Sequence, residues 1–292
     1  MPPPTTTARM GAPYRRVRAA AIGARPPAVP SKAMPEGDTI HYAANRIRPI
    51  LAGVAPDEVR TPHARFGRDR WPERLQGRVV EAVEAHGKHL FLRFEGDLTI
   101  HSHLRMTGAW RVHADGARWA RAPRRAWLVL RARGQDVVQF DGPVLELLSE
   151  TRRRFDLRLA TLGPDIIKED FDERVFLRRL REDDPTRPIG DAILDQRTIA
   201  GIGNLWKAES CFLAQIDPWR PSGEVSDDEA LRIVHEARPR MQRSAVDGNQ
   251  TRFKAIYGKA GQVCPRCGEA KIQQRGQWDD NRRTYWCPAC QR

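Results

Sequence analysis

Long apolar runs are missing from this 292-residue chain. Nothing approaches the roughly 18 consecutive apolar residues of a membrane-spanning helix, which excludes a helical membrane protein. Cysteine is scarce: five residues cannot staple a chain of this length, so a disulfide scaffold is excluded. Lysine is scarce as well, with seven against 43 arginines, a bias that codon usage explains as readily as phosphate recognition. No internal repeat is visible. What is present is charge. Lys and Arg number 50 against 37 Asp and Glu, a net +13, with charged residues at 30%. Together with a mean hydropathy of −0.62, this reads as a soluble chain. The basic excess points to an anionic partner, nucleic acid first, with a bland basic surface as the alternative. The length allows one large or two modest domains.

Residues 1–33 contain no acidic residue, six basic ones and seven of the 22 prolines. Such a segment cannot bury enough apolar surface to offset chain entropy, and it reads as disordered. Its scattered basic residues and lack of a sustained apolar stretch argue against a secretory signal, and a transit peptide is the lesser alternative. A third reading makes Met34 the true start.

Beyond Met34, Ile40, Ala43, Ala44 and Ile47 follow helical spacing, with Asp38 or Thr39 as the cap and Pro49 as the end or bend. Residues 78–113 read as strands (VVEAV, HLFLRF, LTIHSHL, AWRVH) broken at Gly87, Gly96 and Gly108. AWLVLRA and DVVQF add at least two more, up to about 140. After the LGPD turn at 162–165 the chain reads as helical over 171–247. Val175, Leu177 and Leu180 belong to one helix, and Ala192 to Thr198 to another. A third begins near Asn204, and a fourth is boxed by Ser226 and Glu229 and interrupted at Pro239.

Two local patterns carry chemistry. Cys264-Pro-Arg-Cys267 and Cys287-Pro-Ala-Cys290, 19 residues apart, can give four thiolates to one structural zinc with no open position for catalysis. The piece around them is so small that the metal would supply much of its folding energy. Cys211, in an apolar run, reads as a buried small hydrophobe. Between the pairs, NRRTYW offers cationic and aromatic groups to phosphates or bases, or is a solvated loop. Gly201-Ile-Gly203-Asn204 before a helix suits an anion at free N–H groups, although most such turns are plain connectors.

Four separated features coincide: PEGD at 35–38, GKHLFL at 87–92, AILDQRTIAGIGNLWKAE at 192–209, and the cysteine pattern preceded by RTYW. In this order, over about 34–292, they resemble the formamidopyrimidine-DNA glycosylase / endonuclease VIII family of base-excision repair enzymes. The likeness is greatest to its actinobacterial endonuclease VIII-like branch. The resemblance implies a multidomain α/β (α+β) fold. An N-terminal β-sandwich flanked by helices would span 34–160, a helix–two-turns–helix DNA-binding domain 161–255, and a zinc-finger β-hairpin 256–292. Damaged double-stranded DNA would lie between the first part and the other two.

The resemblance also implies roles. Pro35, exposed by removal of a methionine, would be the amine nucleophile, with Glu36 and Lys88 as catalytic partners. Asn204 and Arg282, with Arg283 as the adjacent alternative, would contact DNA. Met106, on the Arg105-Met106-Thr107 tip, would fill the hole left by an extruded base, and one structural Zn2+ would sit on Cys264, Cys267, Cys287 and Cys290. Taken alone, Glu36 reads as a helix-terminal carboxylate, Lys88 as a surface lysine on a strand and Met106 as core. The implied activity is a bifunctional glycosylase and AP lyase using a Schiff base and β,δ-elimination. It needs no small-molecule cofactor or membrane and acts as a cytoplasmic monomer at the nucleoid. Many members carry Pro and Glu where this chain has Asp38 and Thr39, which shifts the expected lesions toward oxidised pyrimidines and abasic sites. The alternatives are a purine-type 8-oxoguanine glycosylase, or a non-catalytic binder of damaged DNA should Pro35 stay blocked.

Overall fold

The computed structural model describes residues 35–67, 69–277 and 281–292; the expectation of disorder for 1–33 falls outside these. In chain order the helices are α1 (Gly37–Leu51), α2 (Ala64–Gly67), α3 (Trp71–Leu75), α4 (Glu150–Phe155), α5 (Leu157–Ala160), α6 (Glu173–Glu182), α7 (Ile189–Ala192), α8 (Asn204–Ala214) and α9 (Asp227–Asp247). The strands are β1 (Glu58–Arg60), β2 (Val80–His86), β3 (His89–Phe94), β4 (Leu98–His103), β5 (Ala109–Ala114), β6 (Ala126–Ala132), β7 (Gln135–Phe140), β8 (Val144–Ser149), β9 (Gln273–Gln277) and β10 (Arg282–Trp286).

Two four-stranded antiparallel sheets, ordered β1-β6-β7-β5 and β2-β3-β4-β8, share one core. Alternation drives this: Leu90, Leu92 and Phe94 of β3 and Leu128 and Leu130 of β6 face inward, where Ile40, Ile47 and Leu51 of α1 meet them. β8, which the sequence reading stopped short of, closes the second sheet against β4.

The cap of α1 is Glu36 rather than Asp38 or Thr39. Thr39 Oγ1 accepts the Glu36 N–H at 2.9 Å, and Asp38 is turned inward to Ser244 Oγ (2.6 Å) and Gln250 Nε2 (3.0 Å). Pro49 does not end α1, and Pro239 does not interrupt α9. Both are exposed, so the carbonyl each leaves unpaired, of Asn45 or His235, belongs to an exposed residue that water can reach.

The helical part packs α6 to α9 around Phe176, Ile193, Trp206, Ile233 and Met241. Ser226 and Glu229 do form the capping box of α9. The expected helix from Ala192 to Thr198 is absent: α7 stops at Ala192 and turns follow. Side-chain bonds compete there with the helical ladder. Asp195 Oδ1 accepts the Arg197 N–H at 2.9 Å, and Gln196 Nε2 donates to the carbonyls of Leu194 and Ile202. Residues beyond α9 form a third, small core in which Ile256, Ile272 and Tyr285 meet Ala208 and Phe212 of α8. The Glu209 carboxylate fixes its entry by accepting the N–H groups of Ala255, Ile256 and Tyr257 at 2.7–3.0 Å. Cys211 is fully buried, as its setting predicts.

Candidate active site

The first N–H groups of a helix have no intrahelical partner and attract negative charge. At the head of α8 the Glu36 side chain takes three of them. Oε1 accepts from Leu205 N at 2.8 Å, and Oε2 from Gly203 N at 3.1 Å and Trp206 N at 3.3 Å. The anion held by the glycine turn is thus an internal carboxylate, a use that neither sequence reading of the turn foresaw. Gly203 leaves it room, since a Cβ there would lie 2.2 Å from Glu36 Cδ. Gly37 closes on the same turn: its N–H donates to Gly201 O at 2.9 Å, and a Cβ would lie 2.7 Å from Gly201 Cα. Burial, helped by Asp38, raises the Glu36 pKa to about 7 against the pull of Lys88 and of the N–H donors. Pro35, partly exposed, precedes it at the head of α1.

Lys88 is not on a strand. It occupies the two-residue turn between β2 and β3, after Gly87 at φ +54°. That turn is anchored by Asp165, whose Oδ2 accepts the Gly87 N–H at 2.8 Å and meets His41 Nε2 at 2.7 Å, while Oδ1 accepts the Ile167 N–H at 3.0 Å. Burial alone would push the Asp165 pKa up; the His41 contact and the two N–H bonds overcome it, and the carboxyl titrates below its ordinary value. One carboxylate therefore ties α1, the Lys88 turn and the segment before α6. Sequence reasoning passed over Asp165 and His41, whose only signal was the LGPD turn. Burial lowers the Lys88 pKa to about 8; Glu36 opposes that shift and Arg282 adds to it. Residues 36, 88 and 282 thus share one electrostatic neighbourhood.

The β9–β10 hairpin brings the third of these. Arg282 pairs across the strands with Gln277, and Thr284 with Arg275, so Arg282, Thr284 and Gln277 share a face and Arg283 lies on the other. Of the two arginines, Arg282 is the one whose positive charge bears on Lys88. Asn204, first residue of α8, donates through Nδ2 to the Arg283 carbonyl at 2.8 Å and bonds Tyr257 through its side chain. Behind the hairpin, the sulfurs of Cys264, Cys267, Cys287 and Cys290 all lie within 4.8 Å of one another. Two of the separations are 3.8 and 3.9 Å. Tetrahedral Zn–S bonds of about 2.3 Å require S···S near 3.8 Å, so the donor set fits a tetrathiolate ion.

Met106 is 70% exposed on the turn between β4 and β5, so it is not core. Arg105 beside it holds φ +44°, and its N–H donates to His103 Nδ1 at 3.2 Å. The structure thus brings Pro35, Glu36, Lys88, Asn204 and Arg282 together, and presents Met106 and Arg105 on a separate projecting turn.

The chain matches two family models: Formamidopyrimidine-DNA glycosylase N-terminal domain over residues 34–143, and Formamidopyrimidine-DNA glycosylase H2TH domain over 162–255. It is 38% identical over 268 residues to a probable endonuclease 8 2 of Streptomyces coelicolor, covering 88% of this chain and 94% of the relative. It is also 38% identical over 269 residues to the DNA-(apurinic or apyrimidinic site) lyase Nei2 of Mycolicibacterium smegmatis, covering 88% and 99%. Among solved structures, wild-type Lactococcus lactis Fpg (MutM), in complex with DNA containing N7-benzyl-Fapy-dG, superposes with a TM-score of 0.74. That match is 24% identical and covers 88% of this chain and all of that one.

Proposed function

The chain belongs to the formamidopyrimidine-DNA glycosylase / endonuclease VIII family, and from that premise we propose that it is a bifunctional DNA glycosylase and AP lyase of base-excision repair whose nucleophile is the amine of Pro35. The observation that carries the reading is the position of Pro35 and Glu36 at the head of α1, with Glu36 seated on the N-terminus of α8, Lys88 and Asp38 as its charged neighbours, and the charge of Arg282 bearing on Lys88.

The chemistry follows from the groups present. The Pro35 lone pair attacks C1′ of the damaged nucleotide, and the base leaves with the electrons of its glycosidic bond and takes up the proton that the amine nitrogen loses. A protonated Glu36, whose pKa lies near 7, delivers a proton to the ring oxygen, and the sugar opens to an iminium. The iminium acidifies the C2′ proton; its removal expels the 3′ phosphate, and a second elimination expels the 5′ phosphate. Lys88 and Arg282 neutralise phosphate charge, and Asn204 holds the hairpin against α8. A zinc ion on Cys264, Cys267, Cys287 and Cys290 would hold the hairpin shape and take no part in bond making. The partner is damaged duplex DNA, bound by a monomer in the cytoplasm. Among the described residues no helix is long and apolar enough to cross a membrane. The lesion class is oxidised pyrimidine; faster excision of 8-oxoguanine opposite cytosine than of thymine glycol would replace it with the purine reading.

Lys88 gives a pH test. With its pKa lowered to about 8, the ammonium is charged below that value and lost above it. The kcat/KM for abasic-strand cleavage will fall about tenfold per pH unit above 8. Lys88→Arg keeps its charge there and will flatten this limb; an unchanged alkaline limb in the variant would remove Lys88 from the phosphate-binding role.

Met106 tests the wedge. Because the side chain is exposed, Met106→Ala will shift stability by no more than about 0.5 kcal/mol. Filling the space of an extruded base offsets an unstacking cost of a few kcal/mol, so binding to duplex with an abasic analogue will weaken about tenfold. Equal affinities measured by fluorescence anisotropy would return Met106 to an ordinary surface residue.

A further inference from the structure

We propose that Lys207 is a positioning residue for this reaction, pinning the β9–β10 hairpin to α8 so that Arg282 stays near Lys88. The inference rests on the glycosylase reading above. Lys207 lies one turn below Asn204 on α8 and is completely buried, an unusual place for a lysine. Its ammonium donates to Gln277 Oε1 of β9 at 3.0 Å and to Thr284 Oγ1 of β10 at 2.5 Å. Thr284 Oγ1 donates in turn to Gln277 Oε1 at 2.7 Å, and Gln277 Nε2 donates to the Pro218 carbonyl at 2.9 Å. Asp191 of α7 supplies the opposing charge.

Register makes this network specific to Arg282. Gln277 is the direct cross-strand partner of Arg282, and Thr284 is the next residue on the same face. Lys207 therefore grips the two hairpin residues that flank Arg282 on its own face. Asn204 takes the Arg283 carbonyl one turn higher. Glu36 sits on the first turn of the same helix, so α8 carries the carboxylate at its head and the pin for the arginine on its buried side. A displaced hairpin would carry Arg282 away from Lys88 while leaving Pro35, Glu36 and Lys88 untouched. Lys207 need not touch DNA.

The test is a double-mutant cycle on abasic-duplex cleavage by protein beginning at Pro35, with zinc content and melting temperature as fold controls. Lys207→Met removes the donors and keeps the shape. It will raise KM about tenfold, the scale of losing a charge-assisted hydrogen bond, and change the single-turnover rate at saturating DNA less than threefold. In an Arg282→Ala background the same change will alter KM less than twofold. A folded Lys207→Met protein with wild-type KM, or an equal loss in both backgrounds, overturns the proposal. Should Lys207→Met lose its zinc, Lys207→Gln, which keeps a donor, is put through the same cycle with the same criteria. Wild-type protein that cleaves nothing would instead overturn the glycosylase reading.

Discussion

Protein that begins at Pro35 will be trapped by borohydride on an abasic-site oligonucleotide, and the 292-residue chain will be trapped at least about a thousandfold less, the scale on which loss of a catalytic nucleophile is felt. The reason is electronic. With residues 1–34 attached, the Pro35 nitrogen is an amide whose lone pair is delocalised into the carbonyl. It can neither attack C1′ nor become an iminium. Released, the same nitrogen is an amine with a pKa near 8, so a useful fraction is unprotonated at neutral pH. The match to the N-terminal family model begins at residue 34, which fits a body whose first working residue is Pro35. The reduced adduct should be read by mass spectrometry of its peptides, and the modified residue should be Pro35. A cross-link at Lys88, or equal trapping by the two forms, would take the nucleophile's role from Pro35. Trapping by neither form, with DNA affinity and zinc intact, would leave a protein that binds damaged DNA without acting on it.

The sequence made the strands and the cysteine cluster legible because both rest on short patterns. Leu90, Leu92 and Phe94 alternate, and four thiols recur at one spacing. Glu36 shows where such patterns run out. Its type suggests a helix terminus, and it does cap α1, but its carboxylate serves the N-terminus of α8, more than 160 positions away. Only the three-dimensional contact between Gly37 and Gly201 reveals that. Lys88 reads as a strand residue because Gly87 marks where the strands break but not that the turn extends one residue beyond it. Pro49 and Pro239 misled for the opposite reason: a strong local rule yields where the lost bond faces water and the helix is buried along its other side. Lys207 carried no signal at all, since a lysine in a helix is ordinarily solvated. Its role exists only once β9 and β10 fold over α8.

Glu36→Gln will separate base removal from strand cleavage. Base release from an intact lesion needs a proton for the sugar ring oxygen, and losing the group that supplies it will slow release about 10²- to 10⁴-fold. An abasic sugar already opens on its own, so trapping on an abasic site will fall far less. The pH profile carries the signature. Base release needs a neutral Pro35 amine, with a pKa near 8, and a protonated Glu36, raised by burial to about 7. Their product peaks between these values and falls on both sides. Gln cannot ionise, so the alkaline limb belonging to residue 36 will vanish. The residual rate will then climb to a plateau as the amine deprotonates, with Lys88→Arg as the background that removes the second alkaline limb. Stability moves in a defined direction too. The folded chain keeps the Glu36 proton that the unfolded chain releases above about pH 4.5, so this carboxyl's contribution is complete below that value and is lost as pH rises through about 7. Melting temperatures of Glu36→Gln will therefore gain on the wild type between pH 5 and pH 8. Base release within threefold of wild type, or an alkaline limb that survives the substitution, would remove Glu36 from proton delivery and leave it as the carboxylate that joins α1 to α8.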